Sequence, residues 1–118
     1  MKTSYRDIPA YLTKDGSEIR ELMHPAIQGN RQQSLAEAIL QPGQQTQLHR
    51  HLRSEELYHV TRGAGVMTLA DETLAIEVGD TVLIPPATPH CVTAIGEEPL
   101  HLLCCCSPAY RHDDTELL

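Results

Sequence analysis

The amino-acid sequence predicts an all-β sandwich or barrel, and three observations carry that expectation. From residue 48 to residue 106 the chain breaks into short apolar runs at roughly 8–12-residue spacing, each closed by turn-forming residues. Helical periodicity is sustained nowhere. The hydrophobic fraction is 41% with no Phe and no Trp, enough for one modest core of Leu, Ile, Val and Ala in 118 residues.

In chain order, Lys14-Asp15-Gly16-Ser17 is a turn signal. It separates Ala10-Tyr11-Leu12 from Glu18-Ile19-Arg20-Glu21-Leu22-Met23, which alternates apolar and charged side chains as a half-buried strand does. Residues 25–33 read as loop. Residues 34–40 form a strand candidate, although Ala and Glu there also tolerate helix, and Pro42-Gly43 closes it. The strand-like runs that follow are 48–51, 57–61, 66–69, 74–78, 82–84, 91–95 and 100–106. Gly63-Ala64-Gly65, Gly79-Asp80, Pro85-Pro86 and Gly96-Glu97-Glu98-Pro99 punctuate them. The expected organisation is an N-terminal strand arm over 1–33, a β-barrel over 34–106 and a polar surface tail over 107–118.

Nine basic against sixteen acidic side chains give a formal charge of −7. Phosphate neutralisation needs clustered Lys and Arg, so nucleic acid and anionic membrane are not the expected partners. No stretch approaches the ~20 apolar residues of a membrane span, and Met1 to Asp7 has no apolar run behind its charges, so a cytoplasmic protein is expected. Cys91 and the consecutive Cys104, Cys105 and Cys106 have no C-x-x-C spacing. They read as small residues of a last strand, and they agree with a reducing compartment.

Seven histidines stand out in so aromatic-poor a chain. His49 and His51 are two apart. On a strand that spacing puts both rings on one face with Cα atoms ~6.8 Å apart, close enough to converge on one ion. Glu56 arrives on the next strand-like run as a candidate carboxylate ligand, with Glu55 as the fallback if the alternation is shifted. His90 opens a strand after the corner made by Pro85, Pro86 and Pro89. Tyr58, at i+2 from Glu56, points the same way and is either a barrel-filling side chain or a polar group touching substrate. His59 alternates to the other face, and His24, His101 and His112 have no motif context. Arg20 is a surface cation by default, and an acid-recognising group if it faces a pocket.

The order of these residues has a further meaning. Gly43, five residues, His49-x-His51, four residues, Glu56, six residues and Gly63 match the first motif of the cupin family at every fixed position. Gly79, five residues, Pro85, one residue, Ala87, two residues and His90 resemble its second motif, with Ala87 where Gly is usual and Ala94 where Asn is frequent. The chain resembles a small single-domain cupin. That resemblance implies a double-stranded β-helix, or jelly-roll barrel, holding one divalent ion (Fe, Mn, Ni, Zn or Cu) on His49, His51, Glu56 and His90. Three neutral imidazoles and one carboxylate leave such an ion with a net charge near +1, suited to a small anionic or bidentate ligand. Two function classes follow. One is a metal-dependent enzyme acting on a small oxygenated or carboxylated molecule (dioxygenase, decarboxylase, isomerase or lyase), with Tyr58 orienting substrate. The other is a non-catalytic pocket that senses or sequesters a small ligand. Open sheet edges and the strand-like arm lead to the expectation of a homodimer.

Overall fold

Two-residue alternation of inward and outward side chains lays this chain into eleven strands, in a computed structural model that describes residues 1–118. The strands are β1 (Tyr11–Leu12), β2 (Glu18–Met23), β3 (Ser34–Leu40), β4 (His49–His51), β5 (Glu55–Arg62) and β6 (Ala64–Leu69), followed by β7 (Glu72–Glu77), β8 (Thr81–Ile84), β9 (His90–Ile95), β10 (Leu100–Ser107) and β11 (Thr115–Leu117). They form two antiparallel sheets in the orders β1-β2-β3-β10-β5-β8 and β11-β4-β9-β6-β7. This is the all-β jelly-roll architecture that the sequence predicts.

Two stretches differ from expectation. Residues 25–33 hold a single helical turn, α1 (Pro25–Gln28), where a loop is expected. Pro25 sits at the first helical position, the His24 Nδ1 accepts from the Ala26 N–H, and Gly29 closes the turn at φ 81°. The tail, whose sequence leaves open whether it folds over the barrel mouth or trails along the surface, adds a strand. Thr115 to Leu117 pair with β4 as an edge strand, in the register Thr115↔His51 and Leu117↔His49. The Asp114 carboxylate anchors the run by accepting from the Arg53 and Ser54 N–H groups.

The core is aliphatic because the composition leaves no alternative. Leu40, Val60, Met67, Ile84, Val92, Leu100 and Leu102 are almost wholly buried between the sheets. Along β3 the inward residues are Ser34, Ala36, Ala38 and Leu40, and along β10 they are Cys106, Cys104, Leu102 and Leu100, paired in that order. Bulk therefore falls steadily from the leucine end to the Ser34–Cys106 end. With only small side chains from β3 and β10 there, that end stays open as a cavity.

The motif glycines and their substitutes have local reasons. Gly63 has φ +75°, and a Cβ there would collide with the Pro99 carbonyl. Ala87 has φ 63°, the left-handed region that favours Gly, and its N–H donates to the His51 carbonyl at 2.6 Å. This chain keeps the turn despite the methyl group. Ala94 is buried, and its N–H and carbonyl bond the Gln44 carbonyl and the Gly43 N–H, which ties the loop before β4 to β9.

Candidate metal centre

Three strands bring the site together. β4 faces His49 and His51 inward with Arg50 outward, β9 starts at His90 directly opposite His49, and β5 turns Glu56, Tyr58 and Val60 inward with Glu55 exposed. The alternation thus selects Glu56 over Glu55. The imidazoles lie with ring centroids 4.2 to 5.4 Å apart, and one ring nitrogen from each falls within 4.8 Å of the others. All three histidines and Glu56 are buried.

Hydrogen bonds outside the cluster fix which nitrogen each histidine offers. The His49 Nδ1 donates to the Gln47 carbonyl at 2.7 Å and the His90 Nδ1 to the Thr88 carbonyl at 2.9 Å. The His51 Nδ1 lies 3.0 Å from the Thr115 Oγ1, whose own proton goes to the Arg111 carbonyl at 2.9 Å, so this imidazole donates as well. Each neutral ring therefore presents a bare Nε2 to the cavity. The Glu56 Oε1 stands 3.2 Å from the His51 Nε2 and 3.6 Å from the His90 Nε2, and neither Glu56 Oε1 nor His90 Nε2 has a hydrogen-bond partner. Burial would raise the Glu56 carboxyl, but the imidazoles of His51 and His90 outweigh it and hold the group down at about 2. Burial, then the neighbouring His90, depresses His49 and keeps it neutral.

With the rings neutral, lone pairs face lone pairs across a buried gap, an arrangement that repels itself unless a proton or a metal cation lies between. The donor set fits a divalent ion that takes imidazole and carboxylate ligands.

The cavity above the cluster encloses about 590 Å³ with its open mouth included. It is lined by Tyr11, Glu21, Tyr58 and Tyr110 among others, with no Lys or Arg. Tyr58 is buried, its ring centroid 6.0 Å from that of His90, and burial followed by the Glu56 charge raises its hydroxyl well above the ordinary value. Arg20 faces away from the cavity, its Nη1 donating to the Tyr5 hydroxyl while the guanidinium stacks 4.8 Å over that ring. The remaining histidines stay outside the cluster. His24 caps α1 and bonds the Tyr110 carbonyl, His59 bonds the Thr81 hydroxyl, His101 sits beside Glu37, and His112 meets the Tyr110 hydroxyl.

Sequence reasoning overlooked four contributors. Thr115 comes from the tail. The Cys106 thiol, raised by burial and by Glu56, stays protonated and donates to the Glu56 Oε2 at 3.2 Å. Glu21, raised by burial, accepts from the Tyr11 hydroxyl at 2.8 Å and leaves its buried Oε1 without a partner. Asp15, read only as a turn residue, has its Oδ2 3.5 Å from the His49 Nε2. The period-two pattern could have flagged Cys106, but nothing local marks Thr115 or Asp15.

Comparison with known proteins decides the family. The profile described as "Cupin domain" matches residues 36–106. The chain belongs to the cupin family. An uncharacterized protein of Methanocaldococcus jannaschii is 52% identical over 118 residues, covering 100% of this chain and 94% of its own. Among solved structures, a single-substitution variant of Streptomyces Pac13 with uridine superposes at TM-score 0.82 and 20% identity, covering 99% of this cupin and 89% of that chain. A predicted oxalate decarboxylase from Thermotoga maritima superposes at TM-score 0.80 and 21% identity, covering 92% and 99%. At those identities the structural likeness concerns the fold.

Proposed function

We propose that this cupin is a metal-dependent enzyme acting on a small oxygenated or carboxylated molecule. One observation carries the reading: three imidazole Nε2 atoms and a carboxylate oxygen are turned together, buried, at the floor of an open cavity. His49, His51, Glu56 and His90 would hold the ion. When bound, it would supply Lewis acidity or redox chemistry to an oxygen ligand.

The chain's own residues do the remainder. Thr115 and the carbonyls of Gln47 and Thr88 hold the three rings in the ligating tautomer. Cys106 directs one Glu56 oxygen away from the cluster and leaves the other facing it. Tyr58, whose hydroxyl no protein group engages, keeps its proton at neutral pH and orients substrate by donating it. No Lys or Arg lines the cavity, so an anionic substrate would be bound through the ion and through hydroxyl donors rather than through a cationic side chain. The fold names no reaction. Of the two neighbours, Pac13 is described as a nucleoside dehydratase and the other as a predicted oxalate decarboxylase.

The test is a metal assay followed by oxygen-uptake and small-acid screens on iron-, manganese- and nickel-loaded protein. Turnover with at least one metal supports the enzyme. Stoichiometric metal with ligand binding and no turnover in any form favours the sensing or sequestering alternative.

A homodimer belongs to the same proposal. β1, β8, β11 and β7 are open sheet edges, and Leu35, Leu57 and Leu83 form an exposed apolar row on the outer face of the six-stranded sheet. Light scattering should return twice the 13.1 kDa chain mass, and a clean monomer would contradict it.

A further inference from the structure

We infer that Asp15 is a fifth protein ligand of the metal centre, supplied by the N-terminal hairpin and lying outside the four residues of the two motifs. The inference rests on the metal-centre reading above.

Asp15 occupies the turn between β1 and β2, and the turn is pinned on both sides. The Gln47 N–H donates to the Asp15 carbonyl, the Gln44 side chain donates to the Gly16 carbonyl, and the Thr13 N–H donates to the Ser17 carbonyl. These bonds tie the hairpin to the chain leading into β4, so Asp15 and His49 are positioned together.

The two carboxylate oxygens have different surroundings. Oδ1 accepts three hydrogen bonds, from the Thr13 hydroxyl at 2.6 Å, the Ser17 hydroxyl at 2.6 Å and the Ser17 N–H at 3.0 Å. Ser17 itself is buried. No donor reaches Oδ2, which points into the cavity 3.5 Å from the His49 Nε2. That nitrogen is the bare one, because the proton of His49 is committed to the Gln47 carbonyl. Asp15 and His49 therefore repeat the carboxylate-to-Nε2 contact that Glu56 makes with His51 and His90. The two carboxylates flank the imidazole cluster, Glu56 beside two rings and Asp15 beside the third.

The distance fits ligation shared with His49. Two donors each about 2.1 Å from one ion lie about 3.0 Å apart at 90° and about 3.4 Å apart at the tetrahedral angle. The Asp15–His49 separation of 3.5 Å matches the Glu56 separations of 3.2 and 3.6 Å. Three locking donors on one oxygen and none on the other is the pattern of a carboxylate oriented toward a cation.

The consequence narrows the substrate. Two carboxylates cancel the charge of a divalent ion, where Glu56 alone leaves it near +1. In an octahedron five protein ligands leave one open position, so substrate would bind through a single oxygen and would need no negative charge.

The experiment uses Mn²⁺ alone as probe, on wild-type protein, His90→Ala and Asp15→Asn, with calorimetric titration of each and a crystal structure of the Mn²⁺-loaded wild type. Asn keeps the acceptor that Thr13 and Ser17 hold and replaces Oδ2 by an NH₂ with no lone pair to give. Support requires three results: wild type binds one ion, His90→Ala loses it, and Asp15→Asn binds at least about tenfold more weakly. The Asp15 Oδ2 should then lie about 2.0–2.3 Å from the ion in the crystal. An Oδ2 more than about 3 Å away, or Asp15→Asn affinity within twofold of wild type, overturns Asp15 as a ligand while the four-residue centre stands. Wild type that binds no Mn²⁺ overturns both readings. If Asp15→Asn fails to fold, the distance from Oδ2 to the ion in the wild-type crystal still decides between ligation and its absence.

Discussion

Replacing Thr115 by Val removes one oxygen and keeps both the shape of the side chain and its preference for a strand. The Thr115 hydroxyl is the only acceptor for the Nδ1–H of His51, at 3.0 Å, and both residues are buried. In the variant that N–H is left unpaired away from water, at a cost of about 1–3 kcal/mol. The Arg111 carbonyl also loses its donor, but Arg111 is exposed and water can replace the hydroxyl there. The freed ring can rotate or change tautomer, which would spoil the Nε2 it presents, so metal affinity should fall about 10–100-fold. Urea unfolding of the metal-free variant measures the first effect, and calorimetric titration with a divalent ion measures the second. Thr115→Ser restores the hydroxyl and should recover most of both. A Val variant within about 0.5 kcal/mol of wild type and with unchanged affinity would refute the role given to the tail.

Acid should destabilise the metal-free protein in two steps of the same sign. The folded-state pKa of His49 is depressed, so below about pH 6.5 the unfolded chain takes up the proton first and stability falls; His49→Gln should remove that step. Glu56 is held at about 2 in the fold against an ordinary value of 4.5, so its contribution is present above pH 4.5 and is lost as pH falls toward 2; Glu56→Gln should flatten that limb of the unfolding curve. Tyr58→Phe should change melting by little, about 0.5 kcal/mol or less, because the hydroxyl has no protein partner, while lowering turnover of any substrate found in the screens. Ala87→Gly should stabilise by about 0.5 kcal/mol in thermal melts, because relief of the left-handed strain exceeds the added chain entropy; a loss of more than about 1 kcal/mol would show that the turn is unstrained.

The legible parts of this molecule were those written in local period. His49, His51, Glu56 and Tyr58 lie at even spacings within strands, so alternation alone predicts their shared face, and β2 and β3 begin and end where the turn residues place them. Pro85, Pro86 and Pro89 forecast the corner that starts β9 at His90. The missed parts depend on contacts between residues far apart in the chain. Thr115 meets His51 across 64 residues and Cys106 meets Glu56 across 50; alternation could place Cys106 inward but could not name its partner. Asp15 lies in an Asp-Gly turn whose hairpin role fully accounts for its composition, so a second role was invisible. The cavity itself could be seen only once β3 and β10 were in register, when the run Ser34, Ala36, Ala38 met Cys106, Cys104, Leu102.

The metal content of protein purified without an affinity tag tests the centre most directly. One divalent ion per chain is expected, absent from both His49→Ala and His90→Ala while their folds persist. Metal-free protein that takes up no Mn, Fe, Ni or Zn on dialysis, or either variant retaining a full equivalent, would contradict it.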